Sequence, residues 1–314
     1  QLLLHDSHQN TDLTLQALPS IIEYLKSQGY EIVTVNHLAD SYSKQTLLAP
    51  TNSYRALTLQ RAIVTLATWL SIIFIILSFV RYAWMLVGSI FYVIKRSMLK
   101  FLSNNLNLHY GTLPKLAVII ACYNEEPVIG KTIEALQTGT FKNFRLILVN
   151  DGSTDKTAKI ITEYAKNDKR ITLLNVPNGG KSKALEHGMA ATKNKWLVFC
   201  DADTVFAPNA LYEFAYSATV DCRLDAIAGK IIVGNDNNLL TRSQLIEYDV
   251  ASKFIKSAQD ITNMITVVPG ASGLWKHKML EKSGGFLTDT LAEDADATMR
   301  VISHGGRVGY RSNI

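Results

Sequence analysis

Four short polar motifs carry the residue types that group-transfer chemistry needs. They are Tyr123-Asn124-Glu125, Asn150-Asp151-Gly152-Ser153, Asn178-Gly179-Gly180-Lys181 and Asp201-Ala202-Asp203. Each has a plain structural reading as a turn, a loop or a helix cap. Four in succession, each after an apolar run, are harder to explain by turn chemistry alone. Asp201 and Asp203 alternate on an extended segment, so both carboxylates can share one hard cation, and that cation can bridge a diphosphate. Farther on, Glu293, Asp294 and Asp296 open a helical pattern that runs to about His304. One such carboxylate can take a proton from an attacking hydroxyl. Neighbours on a helix point about 100° apart, so the three cannot all face one acceptor. The competing reading is a set of helix N-terminal acids favoured by the macrodipole.

The elements that must hold these motifs alternate between strand and helix. Leu116–Cys122, Arg145–Val149, Ile171–Val176 and Trp196–Cys200 read as strands, mostly apolar along their length. Glu126–Leu136, a segment from Thr154 capped by Ser153 or Thr154, and Lys181–Thr192 read as helices. Apolar strands alternating with helices predict a parallel sheet covered on both faces. Ligands of such sheets bind at the carboxyl ends of the strands, where the four motifs fall. Leu239–Ala258 predicts an amphipathic helix with Ile246, Val250, Phe254 and Ala258 packed along one face. Two nucleotide folds find no support. A P-loop needs glycine at position 175, which is Asn175, and no Gly-x-Gly-x-x-Gly follows the first strand.

Residues 62–80 are 19 consecutive uncharged, mostly apolar residues. As a helix they cover roughly 28 Å, close to a bilayer core. Tyr82–Ile94 is also uncharged and is compatible with an extended span, a re-entrant segment or a surface helix. The basic flank Arg81, Lys95, Arg96 and Lys100 predicts a cytoplasmic C-terminal side. Residues 1–46 read as a strand at Leu2–His5, a helix from Thr11 closed by Gly29, and a second strand at Glu31–Val35. One βαβ unit of that size cannot bury a core alone, and the chain reads as a fragment of a longer protein. Net charge is +5 from 32 basic and 27 acidic residues, which gives no argument for nucleic acid. Cys122, Cys200 and Cys222 lack Cys-x-x-Cys spacing and are expected to be buried, reduced thiols. The histidines other than His5 show no ligand spacing.

Residues 114–314 resemble the catalytic domain of inverting family 2 glycosyltransferases, and among them the membrane-bound synthases of poly-N-acetylglucosamine, chitin, hyaluronan and cellulose. The resemblance rests on the ordered set of motifs above. It also rests on Pro269-Gly270-Ala271-Ser272-Gly273 and on Ala292-Glu293-Asp294-Ala295-Asp296, which is similar to the family's Thr-Glu-Asp-x-Asp motif. It implies the A-type glycosyltransferase fold, an α/β architecture with a Rossmann-like, mostly parallel sheet flanked by helices. Tyr123, Glu125, Asp151, Lys181 and Asp201 would bind the nucleotide, and Asp201 and Asp203 would hold Mg²⁺ or Mn²⁺. Ser272, Gly273, Glu293 and Asp296 would contact the acceptor, with Asp294 as catalytic base.

Asn150 stands where many members have Asp, Ala292 replaces Thr, and no Gln-x-x-Arg-Trp motif occurs. Leu3-Leu4-His5-Asp6 resembles the last motif of polysaccharide deacetylases, with His5 the residue that assists acetyl hydrolysis. The implied organisation is a deacetylase remnant at 1–46, linker and membrane segment at 47–113, and a transferase domain at 114–314. The remnant would lie outside the cell membrane and the transferase in the cytoplasm. Implied partners are a UDP-sugar, a polysaccharide acceptor and the lipid bilayer. A fusion to a deacetylase favours N-acetylglucosamine as the sugar. Two alternatives are a deacetylase with an accessory C-terminal part, and a non-processive transferase acting on a lipid carrier.

Overall fold

The computed structural model describes residues 11–37, 51–104, 112–234, 238–290 and 292–314. Contacts divide the chain into Gln1–Leu77 and Ser78–Ile314. Helix α1 (Thr11–Ser27) half-buries Leu18, Ile22 and Leu25, the stripe expected from their spacing. Gly29 closes it at φ +85°, and the Tyr30 amide donates back to the Leu25 carbonyl, the bond of a left-handed C-terminal cap. The expected strand at Glu31–Val35 does not form: residues 30–34 have no regular structure, and Tyr30, Ile32 and Val35 are exposed. No other strand is available beside them among the described residues of that unit. The expected strand at Leu2–His5, with His5, lies outside the described residues.

Helix α2 (Thr51–Asn104) is continuous through both apolar runs, so Tyr82–Ile94 continues the same helix. Its charge-poor stretch, Ala56–Leu102, is long and apolar enough to cross a membrane, and its surface is almost wholly exposed. Within the second unit Met85 and Tyr92 are buried. The Tyr92 hydroxyl donates to the Tyr310 carbonyl at 3.2 Å, and Lys95 pairs with the buried Asp260 at 2.6 Å.

The rest of that unit is a seven-stranded sheet. Its first part runs β1 (Leu116–Cys122), α3 (Ile129–Thr138), β2 (Phe144–Asp151), α4 (Thr157–Asn167), β3 (Ile171–Val176), α5 (Lys181–Ala190), β4 (Trp196–Asp201) and α6 (Ala210–Val220). There follow β5 (Ala226–Gly229), α7 (Leu239–Val250), a π-helical segment (Ala251–Lys256) and α8 (Ser257–Thr262). Then come β6 (Gly273–Lys276), α9 (His277–Lys282), α10 (Glu293–Ser303) and β7 (Val308–Arg311). The strand order is β3-β2-β1-β4-β6-β5-β7, parallel except for β6.

Alternate strand residues feed two cores, as period-2 geometry requires. Leu116, Val118 and Ile120 pack with α3, α4 and α6 on one face. Ala117 and Ile119 pack with α5, α9, α10 and Tyr92 on the other. A strand buried on both faces must be apolar throughout, which is why these strands were legible as continuous runs.

Helix α7 departs from expectation. It buries none of its residues; Ile246, Val250 and Phe254 stay 64%, 47% and 41% exposed, and only Ala258 is buried. Ile246 and Val250 lie ahead of the π-helical segment, and only beyond it does the helix reach the core, with Ala258 closed against Gly88 of α2. Of the three thiols, Cys122 and Cys200 are buried and Cys222 is exposed, contrary to expectation, in the turn after α6.

Candidate active site

The carboxyl ends of β1 to β4 are level. Ala121 of β1 is in register with Val149 of β2 and with Asp201 of β4, and Asn150 with Asn175 of β3. The order β3-β2-β1-β4 reverses the direction of winding between β1 and β4, and a crevice opens at such a switch point. A pocket of about 500 Å³ lies there, lined by Tyr123 and Glu125 after β1, Asp151 after β2, Asn178, Gly180 and Lys181 before α5, and Asp201 and Asp203 after β4. The four sequence motifs therefore meet at one site.

Hydrogen bonds between loops fix the walls. Asn124, at φ +56°, accepts the Thr154 amide at 2.9 Å on its side chain, and its own amide donates to Ser153 Oγ. Asp155, rather than Ser153 or Thr154, caps α4 by accepting the Thr157 amide at 2.9 Å. Its other oxygen accepts the Glu126 amide at 3.0 Å. Two loops far apart in sequence are thus joined, and no local capping rule anticipates that.

Asn150 ties β2 to β3 through Asn175 and accepts the Ser153 amide. Buried Asp151 accepts the amides of Gly179 and Gly180 at 2.8 and 2.9 Å, one on each oxygen. That carboxylate therefore shapes the Asn-Gly-Gly turn from which α5 starts. Gly180 holds φ +87° there, a conformation costly for any other residue.

Lys181 is the hub. Its ammonium pairs with Asp201 Oδ1 at 2.8 Å and with Glu293 Oε1 at 2.9 Å. Burial opposes its charge, but the two carboxylates outweigh burial and raise its pKa above the ordinary value. It joins the end of β4 to the start of α10. Gly270 sits against this group: a Cβ there would lie 3.3 Å from Lys181 Nζ and 3.9 Å from both Asp201 Oδ1 and Asp294 Oδ2. The Gly270 amide donates to Asp294 Oδ2 at 3.1 Å, and Asp294 Oδ1 accepts the Ala295 amide at 2.8 Å. The carboxylate of Asp294 is thus oriented by backbone groups on both oxygens.

Of the Pro269–Gly273 loop, Gly270 faces the carboxylates. Ser272 is 4% exposed, and Gly273 begins β6 between β4 and β5. Asp296 is turned to Arg300, which it binds at 2.8 Å. Ala292 offers no capping hydroxyl to α10, and the first turn instead carries three acids that suit its N-terminal dipole. Lys256, on the π-helical segment, has its pKa pushed down to about 8 by burial, against an opposing pull from Asp294. Lys256 and Arg300 carried no motif-level signal, and Gly270 was legible only as part of the Pro269–Gly273 motif.

Glu125 has a raised pKa because of burial and then the charges of Asp203, Asp155 and Asp201. The pocket therefore holds excess negative charge that a divalent cation would offset. Asp201 and Asp203 supply oxygen donors only. No group of three or more His, Cys, Asp or Glu side chains converges on a metal position among the described residues. Two carboxylates leave coordination positions for diphosphate oxygens and water, which suits Mg²⁺ or Mn²⁺ bound with a nucleotide.

A family model described as Glycosyl transferase family 2 matches residues 117–283. The poly-beta-1,6-N-acetyl-D-glucosamine synthase of Staphylococcus aureus (strain COL) is 27% identical over 225 residues, covering 72% of this chain and 55% of that protein. The synthase of the same name from Staphylococcus epidermidis is 29% identical over 210 residues, covering 67% and 51%. The chain spans about half the length of these curated relatives. Among solved structures, the mannosyltransferase PcManGT from Pyrobaculum calidifontis, in complex with GDP-Man and Mn²⁺, superposes with a TM-score of 0.54 at 19% identity, covering 73% of this chain and 67% of that one. S. aureus TarS 1–349 superposes at 0.50, with 19% identity and coverages of 64% and 58%. At those identities the likeness shows the fold, an A-type glycosyltransferase arrangement.

Proposed function

This chain belongs to glycosyl transferase family 2 and is a glycosyltransferase, and from that premise we propose that it moves N-acetylglucosamine from a UDP-sugar to a growing polysaccharide with inversion. One observation carries the reading: Lys181, Asp201 and Asp294 gather around Gly270, and Glu293 joins them through Lys181, so nucleotide-side and acceptor-side groups flank a single point. The choice of sugar draws on the names of the curated relatives.

In the proposed reaction the acceptor hydroxyl attacks the anomeric carbon on the face opposite the diphosphate. Asp294 takes the hydroxyl proton as the new C–O bond forms, and the electron pair of the broken bond leaves on UDP. Gly270 and Ala295 amides keep the Asp294 carboxylate aimed. Tyr123 and Asp151 line the wall assigned to the uracil, and Lys181 holds positive charge near the phosphates. Asp201 and Asp203 would hold Mg²⁺ or Mn²⁺, whose contribution is to neutralise charge on the leaving diphosphate. Incubation with UDP-N-acetylglucosamine, GDP-mannose and UDP-glucose in parallel tests the assignment, with nucleotide release and product anomeric configuration as readouts. UDP release from the N-acetylglucosamine donor with a β-linked product is expected. Faster turnover of another donor would replace the sugar, and an α-linked product would remove inversion.

We also infer that α2 anchors the protein in the cell membrane with the second unit in the cytoplasm. Ala56–Leu102 extends for 47 residues, about 70 Å as a helix against a core of ~30 Å, so only part of it crosses. The charge-free run 62–80 matches that thickness, and Lys95, Arg96 and Lys100 follow it. Cysteines replacing exposed Tyr30 and Met98 should differ in intact cells. An impermeant maleimide is expected to label position 30 and spare position 98, and the reverse pattern would invert the topology.

A further inference from the structure

Between α9 and α10 the chain turns through Ser283, Gly284 and Gly285, with both glycines at positive φ, +92° and +65°. Arg300, near the end of α10, reaches back to this turn. Its Nη1 donates to the Ser283 carbonyl and its Nη2 to the Gly285 carbonyl at 2.6 Å. The same guanidinium binds Asp296 Oδ2 through Nε at 2.9 Å and through Nη2 at 2.8 Å. From the opposite side, Glu186 of α5 accepts the Phe286 amide at 2.6 Å. Its carboxylate also leaves no room for a Cβ on Gly285. The turn is therefore gripped by two helices, and both have a first residue in the active site: Lys181 opens α5 and Glu293 opens α10, with their side chains paired at 2.9 Å.

We propose that Arg300 is a positioning residue for the transfer step, holding the Ser283–Phe286 turn so that α10 presents Asp294 at a fixed distance from the nucleotide site. The proposal rests on the reading of Asp294 as the base. Arg300 touches neither substrate nor Asp294. It acts through the turn and Asp296, as one planar fork satisfying three acceptors that a lysine cannot serve together. A base that drifts by about 1 Å loses on the order of 10²-fold in rate, which sets the scale of the expected effect.

The test uses the full-length protein in detergent or vesicles. Arg300→Gln is expected to lower kcat by roughly 10–100-fold. UDP affinity in calorimetry should stay within about twofold, because no donor-site contact is removed. Arg300→Lys should recover little of the loss, since it keeps the charge without the fork. A lowered melting temperature with unchanged kcat per folded molecule would make Arg300 purely structural and overturn the proposal, as would full rescue by lysine. Should Arg300→Gln fail to fold, Glu186→Ala decides, because it frees the same turn from the α5 side; unchanged kcat there also overturns it. Asp294→Asn run in parallel separates the two readings. If that variant turns over normally, the base assignment fails irrespective of the Arg300 result.

Discussion

Asp294→Asn in the full-length protein is expected to bind UDP-N-acetylglucosamine normally and to lose transfer by roughly 10²–10⁴-fold, the usual weight of a general base. Asparagine is isosteric with aspartate, and its side-chain oxygen can still accept the Gly270 amide that Asp294 Oδ2 accepts at 3.1 Å. The loop therefore keeps its place while the proton acceptor is gone. Glu293 is not free to substitute, since it is paired with Lys181 at 2.9 Å, and Asp296 is committed to Arg300. Three acids that look equivalent in sequence thus have three different partners, and one of them is aimed by backbone amides alone. UDP release and donor affinity measured on one preparation decide the matter. Near-normal turnover would remove Asp294 from the mechanism, and lost donor affinity would make its role one of binding.

How much of this was legible beforehand depended on the range of the interactions. Leu116–Cys122 and Ile171–Val176 match the observed strands residue for residue. Leu116–Cys122 is covered on both faces and has no polar side to blur its limits, whereas Ile171–Val176 lies at the sheet edge and was legible from its β-branched and apolar run. The four motifs were legible for a related reason. Polar residues directly after an apolar parallel strand have nowhere to lie except the carboxyl edge. Leu239–Ala258 shows the opposite case. Helical spacing identifies an apolar face but not what covers it, and α7 leaves that face exposed. Glu31–Val35 has strand-forming residues yet no neighbouring strand to pair with among the described residues. Contacts that cross the fold were invisible. The Gly270–Asp294 bond spans 24 positions and the Glu186–Phe286 bond 100. Neither leaves a local pattern, so the contacts that orient Asp294 emerged only once the strands were in register.

Asp203→Asn is the sharpest test of the metal assignment, and its expected result is loss of the metal-dependent part of UDP-N-acetylglucosamine binding. The two carboxylates of the Asp-x-Asp pair are not equivalent. Asp201 is paired with Lys181, which also holds Glu293, so replacing Asp201 would disturb the hub that joins β4 to α10 and confuse two effects. Asp203 has no ion pair among the described residues and lies exposed at the pocket edge. Its removal leaves the hub intact. It also lowers the negative charge that, after burial, raises the pKa of Glu125, so a purely repulsive role would make the variant bind the anionic donor more tightly without metal. A ligand role predicts the reverse in the presence of Mn²⁺. Loss of an outer-shell partner alone typically costs 10–100-fold in metal affinity, so loss of a direct ligand should cost at least about 10²-fold. Calorimetric titration of donor with Mn²⁺, with Mg²⁺ and with chelator, on wild type and variant, separates the two. Equal affinity gains on adding metal to both proteins would exclude Asp203 as a ligand.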